Sequence, residues 1–391
     1  MSRLDELIAE LCPDGVKYKK IGECCSLVKG NTPIQKATPG EYPLVVTTSE
    51  RKTCSTFQFD QPSVCIPLVS SRGHGVASLN EIYYQDGKFA VGNILCCVTP
   101  IDQKQLSARF LYVFLNYAKD WLLVPKMQGG ANVSLSVDSI SRTRIPVPPL
   151  PVQQEIVRIL DHFTQLIAEL NAELTARKKQ YEYYRDLLIN NATSPLVELS
   201  SVVKNSCAGA TPKKNVKKYY DGGSIPWIRT QDVRFNEIND VDSFITDAAV
   251  AETAAKWIPE NCVIVAISGA SAGRCAINKI KATTNQHCLN MEIDPNIALY
   301  KYVYYCVCSR YDELLSRKQG ARGDLNSSLI LGITIPLPSI DQQAKIVDLI
   351  ESFDRIANDL SSGLPAEIVA RQKQYEYYRD KLLTFKELPK S

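Results

Sequence analysis

Between Val152 and Asn190 the apolar residues fall at Ile156, Leu160, Phe163, Ile167, Leu170 and Leu174 and, after Arg177, at Tyr181, Tyr184 and Leu188. Steps of four and three alternate, which predicts a helix whose stripe lies against another helix. A helix of that span is roughly 58 Å long. That is too long to be buried inside a small domain, so it needs a partner of comparable length. The chain carries one at its other end: Arg177-Lys-Lys-Gln-Tyr-Glu-Tyr-Tyr-Arg-Asp186 returns as Arg371-Gln-Lys-Gln-Tyr-Glu-Tyr-Tyr-Arg-Asp380.

Ahead of each helix the pattern shortens. Leu4 to Leu11 reads as a short amphipathic helix stopped by Pro13-Asp14-Gly15. Strand-like runs follow at Tyr42–Thr47, Val64–Val69, Glu81–Tyr84, Lys88–Val91 and Ile94–Val98. A helix is expected from Leu106 to Leu123, with Phe110, Phe114, Tyr117 and Trp121 on a shared face. Ile145-Pro-Val-Pro-Pro-Leu-Pro151 reads as a stiff extended connector, closed to helix and β-ladder alike.

Residues 196–335 repeat the plan. Gly30-Asn-Thr-Pro33 returns as Gly209-Ala-Thr-Pro212, and Tyr42-Pro-Leu-Val45 as Ile225-Pro-Trp-Ile228. The strand Val64–Ser70 and Arg72-Gly-His-Gly75 match Cys262–Ser268 and Gly269–Gly273. The helix Leu299–Leu315 matches Leu106–Leu123, and Gln319-Gly-Ala321 stands where Gln128-Gly-Gly-Ala131 stands. Ile335-Pro-Leu-Pro338 then leads to a second long helix, Asp341 to Phe385. Phe163 and Phe353 are 190 positions apart, whereas Tyr181 and Tyr375 are 194 apart. The added residues lie around Ser361-Ser-Gly-Leu-Pro365, where Gly and Pro predict a break with Pro365 in a new first turn. The first helix instead carries the tetrads Ala168-Glu-Leu-Asn171 and Ala172-Glu-Leu-Thr175. One tetrad adds about 6 Å of helix, nearly two base-pair steps of about 3.4 Å. The domain expectation is therefore 1–147, a helical arm 148–193, 194–335, and a second arm 336–391.

Composition narrows the class. The net charge is +3, so a polyanion partner would have to be met by local charge. The 13 cysteines are scattered without a C-x-x-C pair, the pattern of reduced thiols in a cytosolic protein rather than of a disulfide frame or zinc site. No apolar run approaches membrane-spanning length, and the start has no signal-peptide pattern. Motifs for catalysis are absent: no Asn/Asp-Pro-Pro-Tyr/Phe segment to hold a flipped adenine, and no G-x-x-x-x-G-K-[ST] loop for ATP. His74, His162 and His287 have no companions at metal-ligand spacing.

The order of these pieces resembles the specificity subunit of a type I restriction–modification system. Each domain ends in a Pro-Leu-Pro connector and a Gln-Gln start (Gln153-Gln-Glu-Ile-Val157; Gln342-Gln-Ala-Lys-Ile-Val347), and the resemblance covers essentially the whole chain. It departs at Tyr42-Pro-Leu-Val45, where the family usually has Trp third, and at the Gly363/Pro365 insertion. The resemblance implies an α+β fold of two mixed α/β target-recognition domains joined by two long antiparallel coiled-coil helices with pseudo-two-fold symmetry. It implies a non-catalytic chain that reads a bipartite double-stranded DNA target across an unread spacer. Two modification subunits would use S-adenosylmethionine to methylate adenine N6, and restriction subunits would use ATP and Mg²⁺. The alternatives are an enzyme in its own right, or a protein-binding coiled-coil adaptor without DNA specificity.

DNA needs cations for phosphates and paired donors for base edges, both offered from loops. In the first domain these are Lys36, Thr47, Thr48, Arg51, Lys52, Arg72, His74, Lys126 and Gln128. In the second they are Lys213, Lys214, Lys217, Lys218, Arg229, Thr230, Gln231, Asp232, Arg274, Gln319 and Arg322. For any one of them a merely solvated side chain is the competing reading. Tyr183 and Tyr377 fall off the helical seam and are expected to face outward as docking points for two identical partners, against the alternative of ordinary amphipathic surface.

Overall fold

The computed structural model describes residues 3–48, 50, 52–190, 194–319, 324–358 and 363–389, and of 356–358 the backbone alone. Contacts divide the chain into Met1–Leu170 with Ile368–Ser391, and Asn171–Glu367. Each unit thus takes one globular domain, the start of one helical arm and the end of the other.

In the first unit, four antiparallel strands run in the order Cys25–Lys29, Leu95–Pro100, Ser63–Pro67, Tyr83–Gln85. The two central strands are apolar and buried nearly end to end, as strands covered on both faces must be. A second sheet places Tyr42–Val45 between Lys52–Cys54, antiparallel, and Ala90–Val91, parallel. The helix Ala108–Leu122 is capped by Ser107, whose side chain accepts from Phe110 N. Its buried Phe110, Leu111 and Leu115 meet Val64, Ile66 and Val98 in one core. Further along, the aromatic face leaves that core. Trp121 is half exposed and rests edge-on against Tyr117 at 5.0 Å.

The second unit enlarges this plan. Five strands run in the order Val203–Ala208, Cys288–Ile293, Val263–Ala266, Cys275–Asn278, Asn236–Ile238, with only the last pair parallel. Four shorter strands, Phe244–Ile245, Ile225–Ile228, Ala282–Thr284 and Trp257–Ile258, form the other sheet. The expected helix Leu299–Leu315 is two helices, Tyr300–Ser309 and Tyr311–Ser316. The break falls at Arg310, whose side chain is drawn off to Thr334 O at 3.2 Å and Asn190 Oδ1 at 2.8 Å.

The proline connectors correct a second expectation. Arg144–Val147 pairs antiparallel with Lys17–Lys20, and Thr334–Pro336 with Leu196–Glu198. Pro146 sits opposite Tyr18 in the ladder. In an antiparallel pair alternate residues do not donate to the partner, so a proline at such a position on a two-stranded edge loses no bond. The long helix then begins at Leu150, with Pro151 in its first turn, and runs to Asn190.

Gln153 and Gln343 explain the Gln-Gln starts. Both side chains are fully buried. Gln153 Oε1 accepts from Ser107 N (2.9 Å) while its Nε2 donates to Gln105 O (2.8 Å) and Pro148 O (2.7 Å). Gln343 repeats this with Leu299 N, Ile297 O and Pro338 O. Each amide ties an arm to the first turn of its domain helix, and burial is tolerated because the amide's bonds are made.

Each unit also receives the far end of the other arm. Leu383 is buried in the first core and Ile189 in the second, at matching places after the repeated Gln-Tyr-Glu-Tyr-Tyr-Arg-Asp. Phe163 stacks on Tyr378 at 5.5 Å while the earlier Val152, Ile156 and Leu160 share a core with the later Leu383, so the two helical segments run antiparallel in the first unit. Tyr184 on Phe353, also at 5.5 Å, is the second unit's equivalent. Beyond Leu383 the chain settles beside the first strand: Val16 N donates to Lys386 O, Leu388 N donates to Val16 O, and Arg144 pairs with Glu387 at 2.5 Å.

The second arm is a helix at Ile340–Asn358 and another at Leu364–Leu382. Ser361 and Ser362 of the insertion lie outside the described residues. Gly363 O accepts from Ala366 N and Glu367 N, so a new helix starts there with Pro365 in its first turn. The cysteines are free thiols, all buried except the half-buried Cys12 and Cys207. Burial pushes Cys96, Cys262 and Cys288 up to about 12, and these thiols act as small core side chains.

Candidate nucleic-acid interface

Five loops converge in the first unit. Gly92 N donates to Val45 O, and Thr32 N to Val91 O. Leu68 N donates to Ile94 O, and Leu135 N to Leu68 O. Gly75 N reaches Ala131 O. These bonds bring together 30–33, 45–48, 68–75, 91–94 and 128–135. The Gly-x-Thr-Pro motif is explained here: a Cβ on Gly30 would collide with Gly92 O and Val91 O. Only glycine permits that approach of backbones.

The second unit builds the same cluster with its own residues. Asn285 N donates to Ile228 O, Ala210 N to Thr284 O, Ile267 N to His287 O, and Leu325 N to Ile267 O. A Cβ on Gly209 would strike Thr284 O. Loops starting at 209, 228, 267 and 285 therefore meet in one place, beside Leu325.

Most of the expected DNA residues lie on these loops or beside them. Thr47, Thr48, Arg72, His74 and Gln128 are exposed on the first cluster, with His74 in the left-handed region at φ 59°. Lys36 and Lys52 are exposed next to it, on Ile34–Lys36 and Lys52–Cys54. On the second, Lys213, Lys214, Lys217, Gln231 and Gln319 are exposed, and Arg229, Thr230 and Arg274 are half-buried. Arg51 and Arg322 lie outside the described residues.

Three candidates already have structural tasks. Lys126 turns inward to Thr143 Oγ1 at 2.6 Å, and burial holds its ammonium below lysine's ordinary value. Lys218 pairs with Glu252 at 2.6 Å, which raises it. Asp232 closes a turn by accepting from Arg229 N at 2.8 Å. Arg229 itself lies 6.0 Å over Trp227, with its Nε buried and unpartnered among the described residues.

The clusters also contain residues that the sequence reading passed over. Asn93 and Gln286 occupy the same place in the matching turns of the two units, and each is exposed directly after a buried residue, Gly92 or Asn285. Thr211 Oγ1 donates to Gln286 Oε1, and Gln286 Nε2 lies 3.2 Å from His287 Nε2. An amide midway between two strand-like runs was the available signal.

Away from the loops, the repeated Tyr-Glu-Tyr-Tyr builds the same aromatic ladder twice. Tyr183 meets Tyr184 edge-on at 5.4 Å, and Tyr184 stacks on Phe353. Tyr377, Tyr378 and Phe163 reproduce it, again with 5.4 Å between the tyrosines. Tyr183 is 64% exposed and Tyr377 63%. The seam expectation needs adjustment: Tyr181 and Tyr375 pack against domain cores, while Tyr184 and Tyr378 remain partly open. A domain, as well as a helix, competes for each arm's apolar face.

In the second unit a cleft of about 920 Å³ lies beside Tyr181, Tyr304 and Tyr305. The ion pair Lys301–Glu351 spans part of its wall, and charges of both signs line it. Such a lining presents no coherent field to phosphate. Among the described residues there is no cluster suited to a metal ion, and no helix long and apolar enough to cross a membrane.

A family described as "Type I restriction modification DNA specificity domain" matches residues 13–176 and again 193–370. The specificity subunit of the type I restriction enzyme EcoR124I/EcoR124II from Escherichia coli is 35% identical over 303 residues, covering 74% of this chain and 73% of that one. A chain solved in work on complex assembly and conformational transition of the type I R-M system matches at TM-score 0.66 and 15% identity, over 96% of this chain and 98% of the other. The type I S subunit from M. genitalium matches at TM-score 0.55 and 15% identity, over 96% and 97%. The chain belongs to the type I restriction–modification DNA specificity family.

Proposed function

We propose that this chain is the sequence-reading, non-catalytic subunit of a type I restriction–modification complex, with one recognition domain in 1–147 and the other in 194–335. The observation that carries this reading is the loop cluster built twice on matching backbone hydrogen bonds yet lined by different side chains. Equal frames with unequal linings suit two different half-sites of one bipartite DNA target. The arms 148–193 and 336–391 set the unread spacer. Phosphate contacts come from Lys36, Lys52, Arg72, Lys213, Lys214 and Lys217, and orient the duplex; base contacts come from the loop tips.

The aromatic ladders around Tyr183 and Tyr377 are the docking points for two modification subunits. Exposed tyrosines supply large contact area at small entropic cost, and two copies of one ladder suit two copies of one partner. S-adenosylmethionine, ATP and Mg²⁺ belong to the partner subunits, and the complex works in the cytoplasm. The test is methylation by the chain combined with its modification subunit. Adenine methylation confined to a two-part motif is expected. Tight assembly with no preference for any duplex sequence would favour the coiled-coil adaptor instead, and activity of the chain alone would favour an enzyme.

A further inference from the structure

We infer that Asn93 and Gln286 are equivalent base-reading residues, each recognising an A·T pair in the half-site of its own domain; the inference rests on the DNA-reading function proposed above. Both stand at the tip of a turn whose backbone is fixed on both sides. In the first unit Gly92 N is held by Val45 O and Asn93 N by Thr32 O, while Ile94 O accepts from Leu68 N. In the second, Asn285 N is held by Ile228 O, and His287 O accepts from Ile267 N. The residues before each tip, Gly92 and Asn285, are buried. A side chain mounted on so constrained a turn is aimed by the fold rather than by a mobile loop.

The chemistry of the amide selects the base. A carboxamide has two acceptor lone pairs and two N–H donors. At Gln286, one acceptor position is taken by the Thr211 hydroxyl and, in the tautomer that leaves Nε2 unprotonated, one donor by His287. One acceptor and one donor remain. Adenine's major-groove edge presents the complement, an N6 donor beside the N7 acceptor, and no other base offers that order. Asn93 carries the same group at the same place, and among the described residues its side chain has no brace. Its rotamer must be ordered on binding, so it discriminates less sharply than Gln286. The basic residues of the clusters lack this paired donor and acceptor and suit phosphate or guanine.

The test uses the chain assembled with its modification subunits and a duplex library randomised over both half-sites, read by adenine methylation. Gln286→Ala is expected to relax one A·T position in the second domain's half-site by about ten-fold or more, leaving the other half-site intact. Asn93→Ala should do the mirror image more weakly. Thr211→Val, which removes only the brace, should blunt the Gln286 position partially. An unchanged motif from an active Gln286→Ala complex would overturn the inference, as would relaxation in both half-sites. Should a variant complex lose methylation, competition between the cognate duplex and one with the second half-site changed at its A·T positions decides by binding. A ratio equal to wild type would also overturn it. A wild-type complex with no two-part motif would instead remove the proposed function itself.

Discussion

The two units share a frame and differ at their edges. Gln153 and Gln343 clamp the same turns, Leu383 and Ile189 plug the same sockets, and the ladders Tyr377–Tyr378–Phe163 and Tyr183–Tyr184–Phe353 repeat in spacing. Around the converging loops the units part. The first has four- and three-stranded sheets, whereas the second has five and four strands and a short helix, Asp247–Glu252. What is held in common attaches each domain to its arms and, under the proposed function, to one kind of partner. What differs lies where two different DNA tracts would be read. Identical demands keep a repeat alike, and unequal demands let it diverge.

The sockets should show the independence of the two units most strongly. Leu383→Ala and Ile189→Ala should each destabilise their own unit by about 2–5 kcal/mol, measured as two resolved transitions by calorimetry. A variant that lowered both transitions equally would show that the socket is not a property of one unit. The clamps come next. Gln153→Ala or Gln343→Ala leaves the first-turn donor, Ser107 N or Leu299 N, without its acceptor, and should cost about 2–3 kcal/mol in that unit alone. Limited proteolysis identifies which unit opens, and equal loss from the two substitutions would support the shared frame.

The ladders should act on binding rather than on stability. Tyr183→Ala and Tyr377→Ala, at exposed positions, should change folding by less than about 0.5 kcal/mol. Each should weaken docking of one modification subunit about ten-fold, seen by titration calorimetry as one site of two losing affinity. If either substitution abolished both sites, or neither affected binding, the ladders would not be the docking points.

Much of the frame was legible before the fold. The arms announced themselves through apolar steps of three and four, because a long helix repeats one local rule many times. The Gly-x-Thr-Pro repeat was visible but its reason was not, because the backbone that each glycine approaches lies sixty or more residues away. The proline connectors misled because a missing donor was read as a missing ladder; only the register shows which side of the pair Pro146 occupies. Arg310 breaks the domain helix for a reason distant in sequence, its anchors at Thr334 and Asn190.

The candidate site was less legible, and for a uniform reason. Lys126 and Lys218 looked like loop cations, but long side chains reach partners that only tertiary structure supplies, Thr143 and Glu252. Asn93 and Gln286 carry nothing in the sequence that singles them out beyond an amide between two strand-like runs. Their distinction is their position, at the meeting point of loops drawn from the whole domain.

If the proposed function holds, one frame carries two independent reading edges. The most direct test of that independence is a map of methylated adenines in cells whose chain has residues 16–145 replaced by the matching domain of another family member. One half-site of the motif should change while the other half and the number of base pairs between them stay as they were. A change in both halves would contradict it.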